Sequence, residues 1–255
     1  MKKRLRYFFE LLYLLVLKDL KVRYKSSVLG YLWALANPFA FALVYYIAFK
    51  VIMRVNMPNY SIFLLTGMFP WLWLSNSLVQ ATGSYRNNAS LVKRVNVERA
   101  VLPLGSIAHE MVHFGFALPV LIAFILFSGE GLYIQWVWQL PLMMGLQFAM
   151  VYPVALILAL SNVFIHDVEY LIGICLSMLF FLTPIVYPLS MVPDELQVYF
   201  NLSPLTALIG NWRNMFLGGT IDSDLLMYCT IIAIVLGVLA IVVYKKVACK
   251  LGELL

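Results

Sequence analysis

The sequence predicts an all-α integral membrane protein with six transmembrane helices, because it combines an apolar composition with long apolar runs. Of its 255 residues, 63% are hydrophobic and 12% are charged, and the mean hydropathy is +0.90. Soluble domains carry about 25% charged residues. No polar block is long enough for a second domain, so we expect residues 1–255 to form one transmembrane domain.

The chain begins with a segment that fits an amphipathic helix in the membrane interface. Basic residues flank a short apolar run, Leu11–Leu17. This run is too short to cross a bilayer, which takes about 20 apolar residues. Basic ends around a short apolar centre are typical of helices that lie in the interface plane. We therefore assign residues 1–28 to an interface helix.

Six apolar stretches follow, each close to the length of about 20 residues that crosses a bilayer. The first contains Asn37-Pro38, which predicts a kink or a break because proline removes an internal hydrogen bond. Five spans fill residues 29–187, and the sixth lies with a basic tail in residues 220–255. The predicted spans cover about 29–53, 60–83, 101–127, 138–163, 171–187 and 225–244.

The stretch from 188 to 219 is apolar but interrupted too often to cross a membrane. The breaks fall at Pro193, Asp194-Glu195, Asn201 and Ser203-Pro204. This pattern favours two short helices that enter one face of the membrane and return, a segment that we call the hairpin. Irregular backbone at membrane depth persists only where protein buries it or where it lines a watery cavity, so the hairpin indicates a transport pathway. One face of its second helix carries Leu205, Leu208, Ile209, Trp212 and Phe216.

The distribution of Lys and Arg predicts that both termini are cytoplasmic and that the hairpin lies outside. Cytoplasmic loops of membrane proteins carry an excess of Lys and Arg. Of the 18 such residues, 15 fall in the N-terminal segment, the 84–99 loop and the C-terminal tail. The opposite face keeps only Lys50, Arg54 and Arg213. The net charge of +6 therefore reflects membrane topology rather than nucleic-acid binding.

The loop from Ser84 to Arg99 is longer than a simple connector. Connections between helices take about 2–8 residues, and the sequence here fits a short basic helix presented to a cytoplasmic partner. The chain has no P-loop motif, the glycine-rich signature that holds nucleotide phosphates in many ATPases. Energy from ATP would therefore come from a separate subunit docked on this surface.

One motif favours a different class of protein. His109, Glu110 and His113 form an HExxH pattern, which on a helix sets two zinc-binding histidines on one face with the glutamate as general base. A zinc protease also needs a third protein ligand and an open coordination position. The candidate ligands, Glu130 and His166-Asp167, fall in predicted turns, and the three cysteines have no metal-binding spacing. We expect no catalytic residue and no metal, and keep an intramembrane zinc metalloprotease as the alternative.

Three stretches together resemble a known family. They are KDLKVRYKSSVLGYLWALANP at Lys18–Pro38, FFLTPIVYP at Phe180–Pro188 and NLSPLTALIGNWRNMFLGG at Asn201–Gly219. In this order they are similar to the ABC-2 type polysaccharide export permeases. The O-antigen permeases of the Wzm type are the closest, and the teichoic acid permeases are similar. Two features depart from the family: the HExxH pattern, and the turn His166–Glu169, which reads HDVE where members often carry an Arg-Asp pair.

The resemblance implies a homodimeric permease with the ABC-2, or type V exporter, fold in the lipid of the bacterial cytoplasmic (inner) membrane. Two copies of a separate nucleotide-binding ATPase would carry ATP and Mg²⁺, so this chain would be a transport subunit without a cofactor, not an enzyme. The cargo would be a lipid-linked polysaccharide, with O-antigen, teichoic acid and capsule all open. A secondary transporter is a third alternative, although inverted repeats would often show two broken helices and only one such region is visible.

Three sets of residues are candidates for the transport site. The resemblance implies that the N-terminal helix and the 84–99 loop dock on the ATPase. Sugar rings have apolar faces that can slide over aromatic side chains, so the first two spans offer candidates for the translocation path. The hairpin would close the exit as an external gate. The sets are Lys18, Asp19, Arg23, Tyr24, Arg86, Lys93, Arg94, Glu98 and Arg99 for coupling to the ATPase; Trp33, Tyr45, Tyr46, Trp71 and Trp73 for the path; and Asn201, Pro204, Asn211, Trp212 and Arg213 for the gate.

Arg213 is the only Lys or Arg between the fifth and sixth spans. A charge at the membrane centre costs about 2.5–3.5 kcal/mol on insertion scales, and less nearer the interface. We therefore expect Arg213 to point to water, to an acidic partner in Asp194-Glu195 or to the passing glycan, or to extend to the outer surface. The hairpins of two subunits are expected to meet over the exit, to seal it at rest and to move during export.

Overall fold

The fold is helical throughout the part of the chain that the structure describes. The structure is a computed structural model that describes residues 2–24, 32–52, 54, 59–94, 99–129 and 131–247. No strand occurs in these ranges. A π-helical segment, Ile47–Ile52, continues the second helix. The α-helices are α1 (Lys2–Tyr24), α2 (Leu32–Tyr46), α3 (Tyr60–Thr82), α4 (Ser84–Asn87), α5 (Ala89–Arg94), α6 (Val101–Phe127), α7 (Trp136–Phe164), α8 (Val168–Leu182), α9 (Asp194–Asn201), α10 (Pro204–Gly218) and α11 (Ser223–Val247).

Four of the described helices are long and apolar enough to cross a membrane, namely α3, α6, α7 and α11. They correspond to the second, third, fourth and sixth predicted spans, with ends that agree to within a few residues. In place of the first predicted span, α2 and its π-helical extension form a continuous helix from 32 to 52. The helix continues through Asn37-Pro38, so the helix break considered at this proline does not occur.

The fifth span is shorter than predicted, because α8 ends at Leu182 rather than near Tyr187. Pro184 disfavours the helical conformation of the residue before it, and Thr183 is extended with φ −102° and ψ 136°. The stretch Thr183–Pro188, which we call the TPIVYP segment, is therefore not helical. Its residues Thr183, Ile185 and Val186 are buried, so it runs through the protein interior.

Helix α3 lies at the centre of the bundle, where it contacts α2, α6, α7, α8 and α10. The main hydrophobic core surrounds it and includes the buried side of α10. A second, smaller core joins α1 and α4 to the adjacent ends of α6, α7 and α11. We call this second region the loop end and the region around α10 the hairpin end. Apolar side chains on α11 are exposed, as expected for a surface against lipid; they include Met227, Ile231, Ile234, Val235, Val238 and Leu239.

Local signals explain the boundaries of α10. Pro204 occupies the start of the helix, where its missing N–H is not needed, and Ser203 before it is extended. Gly219 ends the helix with a positive φ of 64°, a conformation that glycine adopts without steric cost. An added Cβ at Gly219 would also clash with the ring of Tyr133. The predicted stop at Gly218-Gly219 is therefore confirmed.

Candidate transport site: the hairpin end and the loop end

The hairpin consists of one buried helix and one exposed helix. Helix α10 buries the predicted apolar face, including Leu208, Ile209 and Trp212. Helix α9 has no buried residue, and Tyr199 on it is 71% exposed. Helix α10 therefore belongs to the core of this chain, and α9 lies outside that core.

Arg213 is the charged residue at the centre of the hairpin end. Its guanidinium donates from Nη1 and Nη2 to the carbonyl oxygens of Pro184 and Ile185. The guanidinium carbon lies 3.7 Å from the ring centroid of Phe63, a cation–π contact. Only 9% of Arg213 is exposed. The expectation that it extends to the surface or pairs with Asp194-Glu195 is wrong, because two backbone carbonyls and an aromatic ring already surround the guanidinium.

The TPIVYP segment is held between α3 and α10. From the start of α3, the Tyr60 hydroxyl donates to the carbonyl oxygen of Val186 at 2.8 Å. One face of α3 also leaves room for the arginine, since a Cβ added to Gly67 would lie 2.7 Å from Nη2 of Arg213. A cavity of about 250 Å³ adjoins this contact and is bounded by Phe63, Pro184, Pro188, Leu189, Asn201, Thr206, Ala207, Gly210, Arg213, Asn214 and Leu225.

A buried chain of hydrogen bonds joins α10 to α7 and α3. Trp212 Nε1 donates to Gln147 Oε1 at 2.7 Å, and Gln147 Nε2 donates to the carbonyl oxygen of Pro70 at 2.9 Å. Trp212 and Gln147 are both fully buried. Trp212 also packs edge-on against Phe114 of α6, with ring centroids 5.2 Å apart. Because an unmade buried hydrogen bond costs about 1–3 kcal/mol, this series of hydrogen bonds fixes the position of α10 against α7 and α3, and the ring packing adds a contact with α6.

The last turn of α10 is bound by side chains from the start of α7. A helix leaves its final carbonyl groups without intrahelical partners. Trp136 Nε1 donates to the carbonyl oxygen of Met215 at 2.7 Å, and Gln139 Nε2 donates to that of Gly219 at 3.0 Å. Both donors are buried. The two helices are therefore joined end to end by hydrogen bonds as well as by packing.

The start of α11 and the residue before it hold the hairpin at two points. Asn211 Nδ2 donates to the carbonyl oxygen of Asp222 at 3.3 Å, and the backbone N–H of Asp222 donates to Asn211 Oδ1 at 2.9 Å. The Tyr228 hydroxyl donates to the carbonyl oxygen of Leu202, in the turn between α9 and α10, at 2.6 Å. The turn and the middle of α10 are thus both bound to the start of the last helix.

A groove of about 320 Å³ opens between α3 and α8. Its aromatic wall includes Trp71 and Phe180, whose ring centroids are 5.9 Å apart. Polar groups also line it, from Ser75, Asn76 and Ser177. Aromatic faces beside hydroxyl and amide groups match the two kinds of surface that a sugar ring presents.

At the loop end, α1 contacts the loop that follows α3. Lys18 Nζ donates to Asn88 Oδ1 at 2.7 Å and lies 3.2 Å from Asp19 Oδ1. The Arg86 guanidinium forms an ion pair with Glu169 at 3.6 Å, and both side chains are partly exposed. Exposed pairs of this kind contribute about 0–1 kcal/mol each, so they shape the surface more than they stabilise it.

Tyr85 anchors α4 in the second core. It is fully buried, and its hydroxyl makes no hydrogen bond to the residues that the structure describes. Burial raises the pKa of the Tyr85 phenol, and the nearby Tyr244 and Tyr152 raise it further. The phenol therefore stays neutral near pH 7 and acts as an apolar anchor for the loop.

The HExxH residues lie on α6, with His109 and Glu110 buried and His113 half-buried. The two histidine Nε2 atoms are 3.2 Å apart. Glu110 Oε1 accepts a hydrogen bond from Gln80 Nε2 of α3 and lies 3.4 Å from His109 Nδ1. A general base of a zinc protease would instead face a metal-bound water. No further His, Cys, Asp or Glu of the described ranges joins this cluster, and Glu130 lies outside those ranges.

The comparisons with known proteins identify the family of this fold. The family model of the ABC-2 type transporter matches residues 10–217, most of the chain. This chain belongs to the ABC-2 type transporter family. The O-antigen export system permease protein RfbA of Klebsiella pneumoniae is 37% identical over 100% of this chain and 98% of its own length. Its namesake in Myxococcus xanthus is 31% identical over 89% of this chain and 88% of its own length.

A more distant relative has a different cargo in its name. The polysialic acid transport protein KpsM of Escherichia coli is 25% identical over 91% of this chain and 91% of its own length. Membership of the ABC-2 family confirms the resemblance inferred from the three sequence stretches. It does not favour a zinc protease or a secondary transporter.

The predicted gate residues of this ABC-2 protein fall into two groups. Asn211, Trp212 and Arg213 are buried and bound within their own subunit. Pro204 starts α10, and Asn201 ends the exposed helix α9. Three of the five therefore anchor the hairpin within this chain. A gating role for the hairpin as a whole stays a prediction.

The predicted path residues are also dispersed. Trp71 lines the groove although it is only 4% exposed, and Trp73 is also buried and stacks on Phe114 with ring centroids 5.2 Å apart. The packing of Trp73 supports a core role rather than contact with a cargo. Trp33 is exposed on α2, and Tyr46 packs against the main core. The side chain of Tyr45 lies outside the described part of the chain.

Four of the predicted coupling residues lie together at the loop end, namely Lys18, Asp19, Arg86 and the half-buried Arg99. Of the others, Arg23, Tyr24, Lys93 and Arg94 belong to helices whose side chains at these positions are outside the described residues, as is all of Glu98. Contact of this surface with an ATPase stays a prediction.

Sequence reasoning missed the partners that hold these residues. They come from distant positions: Phe63 and Gly67 for Arg213, Gln147 for Trp212, and Glu169 for Arg86. One signal was present for Gln147 and Gln139, since an uncharged amide in a predicted span usually has a hydrogen-bonding partner in the bundle. A second was the acidic residue in the HDVE turn, which ends at Glu169 on the basic, predicted cytoplasmic side.

Proposed function

We propose that this chain is the membrane-spanning permease subunit of an ATP-driven exporter that moves a lipid-linked polysaccharide of the O-antigen class. The observation that carries the proposal is the match to O-antigen export permeases over 100% and 89% of this chain. ATP hydrolysis belongs to a separate subunit, since this chain has no P-loop motif. Two permease chains and two ATPase chains form the transporter, and ATP and Mg²⁺ bind on the ATPase.

In this proposal the chain crosses the bacterial cytoplasmic membrane six times. The four long apolar helices supply four crossings. The continuous helix from 32 to 52 supplies the first, and α8 together with the buried TPIVYP segment supplies the fifth. The excess of Lys and Arg at the loop end supports a cytoplasmic position for it and for both termini. The hairpin end then faces the outside.

We place the glycan path along the groove between α3 and α8, facing a second copy of the chain. The exposed ring of Phe181 offers an aromatic face on which sugar rings slide, beside the largely buried rings of Trp71 and Phe180. The polar groups of the groove exchange hydrogen bonds with the sugar hydroxyls. Weak and repeated contacts of this kind suit a long polymer, because strong fixed bonds at each sugar would slow its passage.

The two helices of the hairpin have different roles in gating the exit. Helix α10 is bound to α7 by buried hydrogen bonds of Trp212 and Trp136, and to Asp222, just before α11, through Asn211. Its contact with α3 includes the cation–π contact of Arg213 with Phe63. Helix α9 has no buried residue and exposes Val198 and Tyr199. We assign the moving part of the gate to α9 and the fixed base to α10. The α9 helices of two subunits would meet over the exit.

The ATPase docks at the loop end, on the surface formed by α1, α4 and α5. The contact between Lys18 and Asn88 makes α1 and the loop one surface, and the pair Arg86–Glu169 joins the loop to the start of α8. Helix α8 in turn lines the groove. A displacement of the loop by the ATPase would therefore be transmitted through α8 to the groove.

Export itself is tested in cells that make a defined O-antigen. Deleting this chain should remove the glycan from the cell surface and leave its lipid-linked form inside the cytoplasmic membrane. The intact chain should restore surface glycan, and an ATPase variant that cannot hydrolyse ATP should not. Full surface glycan without this chain would contradict the proposal, and the chemistry of the retained glycan identifies the cargo class.

Coupling is tested by reversing Lys93 and Arg94 to Glu together, because single exposed ion pairs contribute only about 0–1 kcal/mol. The double variant should insert normally but lower ATP hydrolysis by the complex and export. The matched control reverses Lys245 and Lys246, an exposed basic pair on α11. Normal assembly and export in the first variant would remove the loop from the coupling surface.

A further inference from the structure

The HExxH cluster is not used by the transport function, yet its geometry is that of a metal site. His109 and His113 are four residues apart, so both side chains lie on one face of α6. Their rings are nearly perpendicular, at 82°, and the two Nε2 atoms are 3.2 Å apart. Two imidazole nitrogens bound at 2.0–2.1 Å to a tetrahedral metal would lie about 3.3 Å apart. The observed separation of the two nitrogens matches that value, and a bound ion would replace the hydrogen bond that now joins the two imidazoles.

Glu110 is placed to orient the first histidine. Histidines that bind metals commonly donate their other ring N–H to a carboxylate, which fixes the tautomer. His109 Nδ1 is buried and makes no hydrogen bond within the described residues, and the nearest carboxylate oxygen, Glu110 Oε1, is 3.4 Å away. The negative charge of that oxygen favours a proton on Nδ1, which places the lone pair of His109 Nε2 beside His113 Nε2. Gln80 of α3 holds the carboxylate in place.

The surroundings favour occupation of the site. His109 and Glu110 are each only 2% exposed, at a point about 12 Å along α6 from its start. Polar groups in a membrane helix are costly and usually serve a pathway, a proton relay or a ligand. His113 is half-buried, which gives an ion a route of entry. A site with two nitrogen ligands also leaves coordination positions for water or for a group from outside the chain.

We propose that His109 and His113 bind a divalent transition-metal ion of the zinc class through their Nε2 atoms, with Glu110 as the residue that orients His109. This differs from the sequence expectation of no metal, and it is not a protease site, because the glutamate is hydrogen-bonded to Gln80 and acts on the histidine. The site is separate from the proposed glycan path and from the ATPase surface. It fixes two successive turns of α6, and through Glu110 and Gln80 it connects α6 to α3.

The test is zinc binding by the full chain, purified in detergent without a polyhistidine tag. Equilibrium dialysis against Zn²⁺ should give one equivalent per chain, and Co²⁺ in its place should give the visible absorption of a nitrogen-ligated ion. His113→Ala should abolish both signals. His166→Ala is the matched control, because His166 is exposed in the turn between α7 and α8, and it should retain full binding. Glu110→Gln should weaken binding by about 10–100-fold.

A measurement on the wild-type chain avoids the ambiguity that a variant could lose zinc because it is misfolded. Diethyl pyrocarbonate acylates accessible imidazoles, so Zn²⁺ should protect His113 from modification and leave His166 reactive. Absence of saturable Zn²⁺ binding, unchanged binding by His113→Ala, or loss of binding by His166→Ala would each overturn the proposal. The result of the zinc test does not decide the proposed function, because export of the glycan is measured separately in cells.

Discussion

Replacing Arg213 with methionine tests whether the hairpin base is held by the contacts described above. The substitution leaves the carbonyl oxygens of Pro184 and Ile185 without their donors, at about 1–3 kcal/mol each. It also removes the cation–π contact with Phe63, worth about 0.5–2 kcal/mol. Relief of the desolvation of a buried charge offsets several kcal/mol of this loss. We therefore expect a net destabilisation near the low end, about 2–3 kcal/mol.

The expected loss corresponds to roughly 5–10 °C in apparent melting temperature for a chain of this size. Arg213→Lys should fall between the wild type and Arg213→Met, because lysine keeps the charge but loses the planar fork that reaches two carbonyls. Asn214→Ala is the matched control, since Asn214 is the exposed neighbour on the same helix. It should change stability by no more than about 0.5 kcal/mol.

A local assay shows where the loss occurs. A cysteine in place of the buried Ile185 should resist a water-soluble maleimide in the wild-type background and react in the Arg213→Met background. Melting is followed by size-exclusion chromatography after heating, and export is measured in cells. The reasoning is refuted if Arg213→Met melts at the same temperature as Asn214→Ala and if Ile185→Cys in the Arg213→Met background still resists the maleimide. The buried arginine would then not hold the TPIVYP segment.

Three further predictions follow from the same geometry. Ser223→Cys should react with an impermeant thiol reagent from outside intact cells and Lys246→Cys should not; the reverse pattern would overturn the topology. Tyr199→Cys on the exposed face of α9 should cross-link two subunits and block export until a reductant is added, whereas undiminished export by the cross-linked protein would show that α9 need not move. Arg86→Glu should lower transport-linked ATP hydrolysis, and the double variant with Glu169→Arg should recover part of it by restoring the ion pair. Equal hydrolysis by the single and double variants would remove this pair from the coupling surface.

Hydropathy located the long helices well because a bilayer sets their length. The bounds of α6 agree with prediction at both ends, and those of α3 to within one residue. The end of the fifth span was predicted too late in the sequence, because the apolar residues continue beyond Leu182. Pro184 nevertheless ends the helical conformation there. Composition reports which residues avoid water, whereas the end of a helix depends on local sterics.

The hairpin shows the limit of this reasoning. The two short helices and the end of the second at Gly218-Gly219 were predicted from the sequence, and both helices are present. The direction of Arg213 was not, because its partners are backbone carbonyls and backbone carbonyls have no sequence signature. For the same reason a cross-link at Asn211, a natural choice from sequence, is unsuitable, since Asn211 is fully buried against Asp222 in its own subunit.

The hydrogen bonds that surround α10 also bear on how the chain is made. The residues of α7 that hydrogen-bond to α10, Gln147 and Trp136, precede it in the sequence and leave the ribosome first. Helix α10 can therefore dock as soon as it is synthesised, while the bond to Asp222 waits for the next helix. This order of synthesis allows the base of the hairpin to assemble before the last helix is made, which shortens the time that the buried arginine spends without its partners.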